Sequence, residues 1–560
     1  MKIFLSQQNY HIGNFESNTT KIIAAINDAK SQNADLIVFS ELSVCGYAPK
    51  DFLEFEDFVD KCYNALDIIK EHADTIGVLV GAPDRNTIKE GKDLFNAAFL
   101  LYENQITAIS HKTCLPNYDV FDEYRYFEPA YNWNVMQFKG KRLAVTICED
   151  IWNLGDNPLY RICPMDELMK QSPDVMINLS ASPFDYTHDE DRKATIKANV
   201  IKYKLPLFYC NAIGAQTEIV FDGASLVFDK HGNLCKEFPQ FKEHNELIIL
   251  NDNGTIDAHV IKPAIAVPQQ LLAPLQLTET LNIAQIHDAL ILGIRDYFTK
   301  MGFTKAIVGS SGGIDSAVVI ALACTALGCE NVRAILMPSQ YSSGHSVSDA
   351  QKLSKNNNNP YDIISIKNIY EDFLKELKPV FQDLPFSIAE ENIQSRIRGN
   401  LLMAIANKFG YILLNTSNKS ELATGYGTLY GDMAGGIGVL GDCYKLQIYE
   451  LAKYINNERE IIPANIINKA PSAELRPDQK DTDSLPEYKI LDKILYQYIE
   501  RVQGPEQIKA QDFDAALVDR VLKMVNVNEY KRNQFCPIIR ISPKAFGVGR
   551  KVPIVGKYLS

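Results

Sequence analysis

The chain has 560 residues, of which 46% are hydrophobic and 22% are charged, and its formal net charge is −12 at pH 7. This length predicts at least two domains, and the acidic balance disfavours general nucleic-acid binding. No apolar run approaches the roughly 20 residues that span a bilayer, so we expect no membrane partner. The polar N-terminus lacks a signal-peptide pattern, and the 11 cysteines contain no C-x-x-C pair, which predicts a cytoplasmic protein with reduced thiols.

The first half of the chain alternates short apolar runs with helical patterns, which predicts an α/β layered domain. The first predicted elements are a strand over 2–7, a helix over 18–29 and a strand over 34–39. Further strands are predicted at 76–80, 97–102, 143–148, 175–179 and 207–210.

Three polar residues, Glu41, Lys112 and Cys148, stand where predicted strands end, which is where α/β folds collect active-site groups. Taken singly, they fit a solvated turn residue, a surface lysine and a small buried hydrophobe. Taken together, in this order and spacing, they resemble the Glu-Lys-Cys triad of the nitrilase, or carbon–nitrogen hydrolase, superfamily. The resemblance covers roughly residues 1 to 260 and implies a nitrilase-like α/β sandwich.

The resemblance implies that an amide is hydrolysed through a thioester on Cys148. A thiol is mostly protonated at neutral pH, so Glu41 would take its proton and later deliver it to the leaving ammonia. Lys112 would place a fixed positive charge near the tetrahedral oxyanion. Glu123 resembles the superfamily's second glutamate, which helps to position the lysine and the substrate.

Glutamine is the amide that this resemblance implies, through the glutaminase domains of the superfamily. By the same resemblance, Tyr118 and Ser182 would hold the amino-acid end of glutamine. Many relatives carry a lysine six residues after this serine, where this chain has His188. His188 is therefore a candidate glutamine-binding residue, with an ordinary surface histidine as the alternative interpretation.

A segment rich in proline, glutamine and leucine, at about 251–280, predicts an irregular connection between two domains. We therefore expect a glutaminase domain at 1–255, a linker at 256–282 and a second domain at 283–560. A helical pattern over 283–301 opens the second domain.

A glycine- and serine-rich loop at 309–316 joins a predicted strand over 305–308 to a helix. Its N–H groups would meet at the positive end of a helix dipole, which suits a phosphate. The loop lacks the lysine of a Walker-type site, but its aspartate suggests a metal ion beside the phosphates. A glycine/serine turn without a ligand is the alternative. The candidate ATP-binding residues are Gly309, Ser310, Ser311, Gly312, Gly313, Ile314, Asp315, Ser316 and, from a later turn, Thr416.

The loop resembles the pyrophosphatase loop of enzymes that split ATP into AMP and pyrophosphate, such as the NAD, GMP, asparagine and argininosuccinate synthetases. Strands predicted at 332–338, 363–366 and 411–414, with helices between them, predict a doubly wound parallel sheet of Rossmann-like type. The stretch 424–432 resembles the NAD synthetases rather than the GMP or asparagine enzymes.

The remaining candidates follow from the resemblance to NAD synthetases. Asn392 and Arg396 lie four residues apart on a predicted helix and would bind deamido-NAD⁺ together with Glu421 and Lys531. Asp315 and Glu421 would hold Mg²⁺, with ATP as the co-substrate. An exposed cation at a helix end is the alternative interpretation of Lys531.

The whole chain resembles the glutamine-dependent NAD synthetases. The resemblance implies that ATP activates the nicotinate carboxylate of deamido-NAD⁺ and that ammonia from L-glutamine then displaces AMP. It further implies a shielded channel for ammonia and a homo-oligomer formed through the synthetase domain. Two alternatives remain open: another glutamine-fed adenylating amidotransferase, and an inactive nucleotide sensor or scaffold.

Overall fold

The computed structural model describes residues 1–154, 159–257, 280–477 and 479–559. The chain divides into two compact units, Met1–Pro268 and Gln269–Ser560. Residues 258–279 of the predicted linker lie outside the described ranges. Within those ranges, no helix combines the length and the apolar character that crossing a membrane requires.

Strands dominate the N-terminal unit. In chain order they are β1 (Lys2–Gln7), β2 (Leu36–Val38), β3 (Gly77–Arg85), β4 (Leu94–Tyr102), β5 (Gln105–His111), β6 (Met136–Phe138), β7 (Lys141–Ile147), β8 (Val175–Ser180), β9 (Leu207–Asn211), β10 (Ile213–Gln216), β11 (Ile219–Asp222), β12 (Leu226–Phe228), β13 (Leu234–Glu237) and β14 (His244–Ile249). The helices are α1 (Phe15–Ser31), α2 (Glu56–Lys70), α3 (Pro164–Met169) and α4 (His188–Tyr203).

The described strands form two larger sheets, ordered β14-β1-β2-β3-β4-β5 and β13-β12-β9-β8-β7-β6, and a β10-β11 hairpin. Apolar side chains of both sheets, among them Leu79 and Val145, share one buried cluster, so the sheets pack face to face. The other face of the first sheet packs against α1 and α2, and that of the second against α3 and α4. The unit is therefore a four-layer α-β-β-α sandwich, which confirms the predicted fold of this half.

The strand directions bring the predicted triad to one edge. β1, β2 and β3 are parallel, and β5 runs in the same direction as β3 because each pairs antiparallel with β4. In the second sheet, β7 and β8 are parallel. Since the carboxyl ends of parallel strands meet at one edge, the residues after β2, β5 and β7 can converge there.

Some element boundaries differ from those predicted. The strand predicted at 76–80 continues to Arg85, because its polar end pairs with β4 in a hairpin that apolar periodicity does not reveal. The strand predicted at 143–148 ends at Ile147, because Cys148 adopts a positive φ of 44° and starts a short 3₁₀ helix. The helix predicted over 283–301 begins earlier, at Thr280.

The C-terminal unit alternates strands and helices. Its strands are β15 (Ala306–Gly309), β16 (Val332–Leu336), β17 (Tyr361–Ile363), β18 (Ile412–Asn415) and β19 (Ile437–Gly438). Its helices are α5 (Thr280–Met301), α6 (Ile314–Leu327), α7 (Gly344–Asn357), α8 (Lys367–Phe381), α9 (Ile388–Phe409), α10 (Lys419–Thr424), α11 (Lys445–Ile455), α12 (Ala464–Asn468), α13 (Tyr488–Ile499), α14 (Pro505–Lys509), α15 (Ala515–Val527) and α16 (Glu529–Arg532).

The described strands of this unit form one sheet with the order β17-β16-β15-β18-β19, in which every neighbouring pair is parallel. The order runs outward in both directions from β15, which confirms the predicted doubly wound sheet. The strand predicted at 363–366 lies at Tyr361–Ile363 instead, and Ile366 packs into a hydrophobic cluster just before α8. Ligands of such sheets bind where the order reverses, which here is the crevice beyond the ends of β15 and β18.

Candidate active sites

Lys112 is fully buried at the end of β5 and lies between two carboxylates. Its Nζ donates to Glu41 Oε1 at 2.7 Å and to Glu123 Oε1 at 2.8 Å. Glu41 and Glu123 are themselves only 1% and 4% exposed. The structure therefore brings three of the four predicted catalytic residues into direct contact.

Two residues that sequence reasoning missed complete this network. Asn96 Nδ2 donates to Glu41 Oε1 at 2.7 Å, and the Tyr47 hydroxyl donates to Glu123 Oε1 at 2.7 Å. A backbone N–H, from Ala181, donates to the other Glu41 oxygen at 3.0 Å. The signal available in the sequence was Asn96 itself, because it places a polar side chain in the otherwise apolar strand β4. In the structure this side chain is fully buried.

Cys148 starts the 3₁₀ helix that follows β7, and its side chain is buried in the core between the two sheets. The carboxylate of Asp150 fixes this turn, because it accepts hydrogen bonds from the N–H of Ile147 at 3.0 Å and of Thr113 at 2.9 Å. Thr113 directly follows Lys112. The same carboxylate therefore holds the cysteine turn and the lysine segment together.

The electrostatics of this site follow from burial. Burial and the Glu41 carboxylate raise the pKa of the Cys148 thiol well above its usual value, although Lys112 opposes the shift. Burial disfavours the Lys112 ammonium, but Glu123 and Glu41 outweigh this effect and raise its pKa. Burial also raises the pKa of Glu123 to about 7. The cysteine therefore rests as a thiol beside a charged lysine and needs a base to become a nucleophile.

Of the three glutamine-binding candidates, Ser182 and His188 contact each other, and Tyr118 contacts Glu149. Ser182 Oγ and His188 Nε2 lie 2.9 Å apart, and the His188 ring stacks on Trp152 at 4.9 Å between centroids. Burial lowers the pKa of His188, which favours the neutral ring. The Tyr118 hydroxyl donates to Glu149 Oε1 at 2.9 Å, next to the cysteine, although the Tyr118 side chain is half exposed.

The glycine-rich loop of the second unit turns from β15 into α6. Ser310 N–H donates to Ile335 O at 2.8 Å, and the Ser311 and Ser316 hydroxyls lie 3.2 Å apart. Gly312 has a φ of +75°, and a Cβ placed on it would lie 2.3 Å from Ser346 O, so only glycine fits. The buried Ser310 hydroxyl finds no partner among the described residues, which suits a group that binds a ligand oxygen.

Asp315 is held on both sides at the start of α6. Asn418 Nδ2 donates to its Oδ1 at 2.9 Å, and Lys445 Nζ donates to its Oδ2 at 2.6 Å. The same lysine lies 3.6 Å from Glu421 Oε1. Sequence reasoning missed Lys445, because a lysine at the start of an amphipathic helix carries no signal that distinguishes it from a solvated one.

These residues surround a cavity of about 310 Å³ at the reversal point of the sheet. Thr416 lines it together with most of the 309–316 loop, and so do both predicted metal ligands, Asp315 and Glu421. The segment 471–475 closes one wall. In the adjoining segment 476–483, Asp481 accepts a hydrogen bond from the Tyr488 hydroxyl at 2.9 Å, whereas Asp478 lies outside the described residues.

The other three candidates for deamido-NAD⁺ lie outside this lining and hold the 424–432 segment instead. Asn392 Oδ1 accepts from the Thr428 hydroxyl at 2.8 Å, and Arg396 Nε donates to Leu429 O at 3.3 Å. Lys531 Nζ donates to two backbone carbonyls of the segment at 2.7 and 2.9 Å. Asn392 and Arg396 therefore do face one side of α9, as their spacing predicts.

The carboxylates of this cavity fit a magnesium ion that is shared with phosphate. Burial and the neighbouring Asp315 raise the pKa of Glu421 to about 8, a repulsion that a cation would relieve. Mg²⁺ prefers oxygen ligands and takes only one or two from protein when phosphates supply others. Among the described residues, no group of three or more His, Cys, Asp or Glu is placed to hold a metal ion by itself.

Each of the two units matches a known protein family. Residues 3–258 match the carbon-nitrogen hydrolase family, and residues 286–535 match the NAD synthase family. The glutamine-dependent NAD(+) synthetase of Synechocystis sp. is 42% identical over 99% of this chain and 98% of its own, and that of Thermotoga maritima is 38% identical over 100% and 99%.

A solved structure agrees with these relatives. The glutamine-dependent NAD+ synthetase from Acinetobacter baumannii, determined in complex with adenosine diphosphate, is 37% identical, has a TM-score of 0.76, and is matched over 99% of this chain and 98% of its own. The chain therefore belongs to the glutamine-dependent NAD(+) synthetase family.

Proposed function

We propose that this chain amidates deamido-NAD⁺ to NAD⁺, with ammonia from L-glutamine and with ATP split into AMP and pyrophosphate. The observation that carries the proposal is that one chain combines a buried Glu–Lys–Glu network beside a cysteine with a phosphate loop beside two carboxylates. The first constellation suits amide hydrolysis and the second suits nucleotide activation. We assign the glutaminase to 1–255 and the synthetase to 283–560.

In the glutaminase, Glu41 accepts the thiol proton of Cys148, and the thiolate attacks the side-chain amide of glutamine. Lys112, held as a cation by its two carboxylates, stabilises the oxyanion of the tetrahedral intermediate. Glu41 then returns the proton to the leaving ammonia, and water hydrolyses the thioester. Tyr118, Ser182 and His188 bind the amino-acid end of glutamine, and the contact between Ser182 and His188 supports this assignment.

In the synthetase, the N–H groups and hydroxyls of residues 309–316 bind the ATP phosphates, with Thr416 across the crevice. Asp315 and Glu421 would hold Mg²⁺, which neutralises charge on the triphosphate and the departing pyrophosphate. Asn392, Arg396 and Lys531 shape the 424–432 segment for deamido-NAD⁺. A carboxylate is a poor electrophile, so its conversion to an acyl adenylate gives ammonia a good leaving group to displace.

The reaction class is tested by product analysis of the purified chain. With deamido-NAD⁺, ATP, Mg²⁺ and glutamine, we expect NAD⁺, glutamate, AMP and pyrophosphate in equal amounts. Replacing deamido-NAD⁺ with xanthosine monophosphate or aspartate, the substrates of other adenylating amidotransferases, should give no amidated product. Turnover of either substitute, or release of ADP and phosphate, would contradict the proposal.

Glutamine hydrolysis should depend on pH through Glu123. Its carboxyl, bonded to Lys112 and Tyr47, has a pKa of about 7, so it is neutral below that pH and ionised above it. The ionised form supplies the second of the two negative partners of Lys112, so we expect its loss to lower kcat/KM for glutamine by up to about tenfold per pH unit below pH 7. The pH profile of glutaminase activity measures this.

The control for that profile is synthesis from ammonium chloride, corrected for the free ammonia present, which should not follow the same acid limb. Glu123→Gln removes one titrating group and should make the limb shallower at a lower overall rate, while Glu149, whose pKa burial also raises to about 7, still titrates next to Cys148. A wild-type profile that stays level from pH 8 to pH 5 would contradict this role for Glu123.

Three further expectations stay predictions. Ammonia is mostly protonated in neutral water, so we propose that it passes between the sites by a shielded route. If all the ammonia from glutamine were trapped by an external enzyme during NAD⁺ synthesis, that route would be excluded. We also propose that the chain forms a homo-oligomer through the synthetase domain and that it works in the cytoplasm.

A further inference from the structure

Arg398 is a cation of the nucleotide cavity without an acidic partner. It lies on α9 and lines the cavity together with the 309–316 loop. Its Nε donates to Met337 O at 3.0 Å, which anchors the side chain. Among the described residues, no carboxylate forms an ion pair with it, and its two terminal nitrogens form no hydrogen bond.

Asp432 and Glu474 are the acids whose charges act on Arg398, and both form hydrogen bonds with other residues. Asp432 Oδ1 accepts from Thr428 N–H at 2.6 Å. Glu474 accepts from the Ser343 and Ser346 hydroxyls at 3.0 and 2.6 Å. By contrast, Lys445 in the same cavity is paired with Asp315. Both acids place negative charge near Arg398, but among the described residues neither forms an ion pair with it, so its terminal nitrogens have no direct acidic partner.

The lack of a direct ion pair has a physical cost. Burial lowers the pKa of Arg398 to about 10, which still leaves the guanidinium charged at neutral pH. A half-buried charge without a direct ion pair is unfavourable, and a ligand that supplies the opposite charge relieves that cost. The guanidinium has free donors in a planar fork, a geometry that matches two oxygens of a phosphate.

The position of Arg398 indicates which anion it meets. Leu402 follows it by one helical turn, and a Cβ on Gly309 would lie 3.2 Å from Leu402 Cδ1 and 3.6 Å from Met337 Cε. Arg398 is anchored to the same Met337, so it stands beside the first residues of the phosphate loop. An anion bound there would be a neighbour of the phosphates that the loop binds.

We propose that Arg398 binds a phosphate of the ATP substrate beside the 309–316 loop, an inference that rests on the proposed function. In adenylation, a nicotinate carboxylate oxygen bonds to the α-phosphorus, the bond from that phosphorus to its bridging oxygen breaks, and pyrophosphate leaves with the electron pair. A fixed guanidinium beside these oxygens stabilises the charge that they share.

The test is nucleotide binding to the full chain by calorimetry, with Mg-ATP, AMP and adenosine as probes. Arg398→Met should weaken Mg-ATP binding by at least about tenfold, as expected for lost hydrogen bonds to a charged group, while adenosine binding changes less than about twofold. Binding of AMP should weaken as well if Arg398 contacts the α-phosphate. Arg398→Lys keeps the charge and should recover part of the affinity.

Arg520→Met is the matched control, because Arg520 also donates to a backbone carbonyl, Ser484 O at 2.6 Å, but is exposed and lies outside the cavity lining. It should bind all three probes as wild type does. If both Arg398 variants lost affinity for adenosine and for Mg-ATP to the same extent, the proposal would be overturned in favour of a structural role for Arg398.

Failure of this inference is separable from failure of the proposed function. If wild-type chain binds Mg-ATP and Arg398→Met binds it equally well, only the inference is wrong. If wild-type chain binds no Mg-ATP at all, the proposed function itself is wrong.

Discussion

Cys148→Ala is expected to reduce glutamine-dependent NAD⁺ synthesis by at least about three orders of magnitude, because the variant has no atom that can form the thioester. Synthesis from ammonium chloride should stay within about twofold of wild type, since the adenylating site takes ammonia from any source. The measurement is the rate of NAD⁺ formation with each nitrogen donor at saturating deamido-NAD⁺ and ATP.

Cys210→Ala provides the matched control for that variant. Cys210 is also a buried cysteine of the N-terminal sandwich, but it lies within the core on β9 and its thiol donates to Ser6 O and Val38 O at 3.4 Å. This variant should keep glutamine-dependent synthesis. Substantial glutamine-dependent synthesis by Cys148→Ala would contradict its assignment as the nucleophile, and loss of the ammonia-dependent reaction would contradict two separate sites.

Gly312→Ala is expected to lower NAD⁺ synthesis by about 100-fold or more with either nitrogen donor. Its φ is +75°, and the added methyl group would lie 2.3 Å from Ser346 O, so the loop must shift away from α7. A shift of about 1 Å in a group that positions a reacting phosphate costs roughly this much rate. Steady-state synthesis with ammonium chloride isolates the effect from the glutaminase.

Gly344→Ala is the corresponding control, because a Cβ on Gly344 meets no atom within 4 Å. It should leave synthesis close to wild type. Basal glutamine hydrolysis should survive in both variants, which separates damage to the loop from general unfolding. If Gly312→Ala made NAD⁺ at the wild-type rate, the loop would not be the phosphate site that we propose.

Much of the glutaminase network was accessible from the sequence because strand ends are predictable. Glu41 and Lys112 lie 71 residues apart, yet each stands where a strand ends, and strands in one layer bring such positions to one edge. The turn at Cys148 was not predictable in detail. Hydrophobicity alone extends the strand through Cys148, whereas the backbone turns there with a positive φ.

Residues that act through tertiary contacts could not be predicted from the sequence. Asn96 and Tyr47 meet the two glutamates only after the sheet has formed, and the sequence assigned a role to neither. Lys445 and Arg398 lie on helices, where a cation normally faces solvent. Their burial against the nucleotide cavity is set by the order of the strands, which local periodicity does not encode.

The transfer of nitrogen from one site to the other tests the account most directly. The chain would be given deamido-NAD⁺, Mg-ATP and glutamine labelled with ¹⁵N in its side-chain amide, and the mass of the NAD⁺ and the adenine nucleotide product would be determined. We predict NAD⁺ that carries the label, formed in step with AMP. Unlabelled NAD⁺, or labelled NAD⁺ formed in step with ADP, would contradict the account.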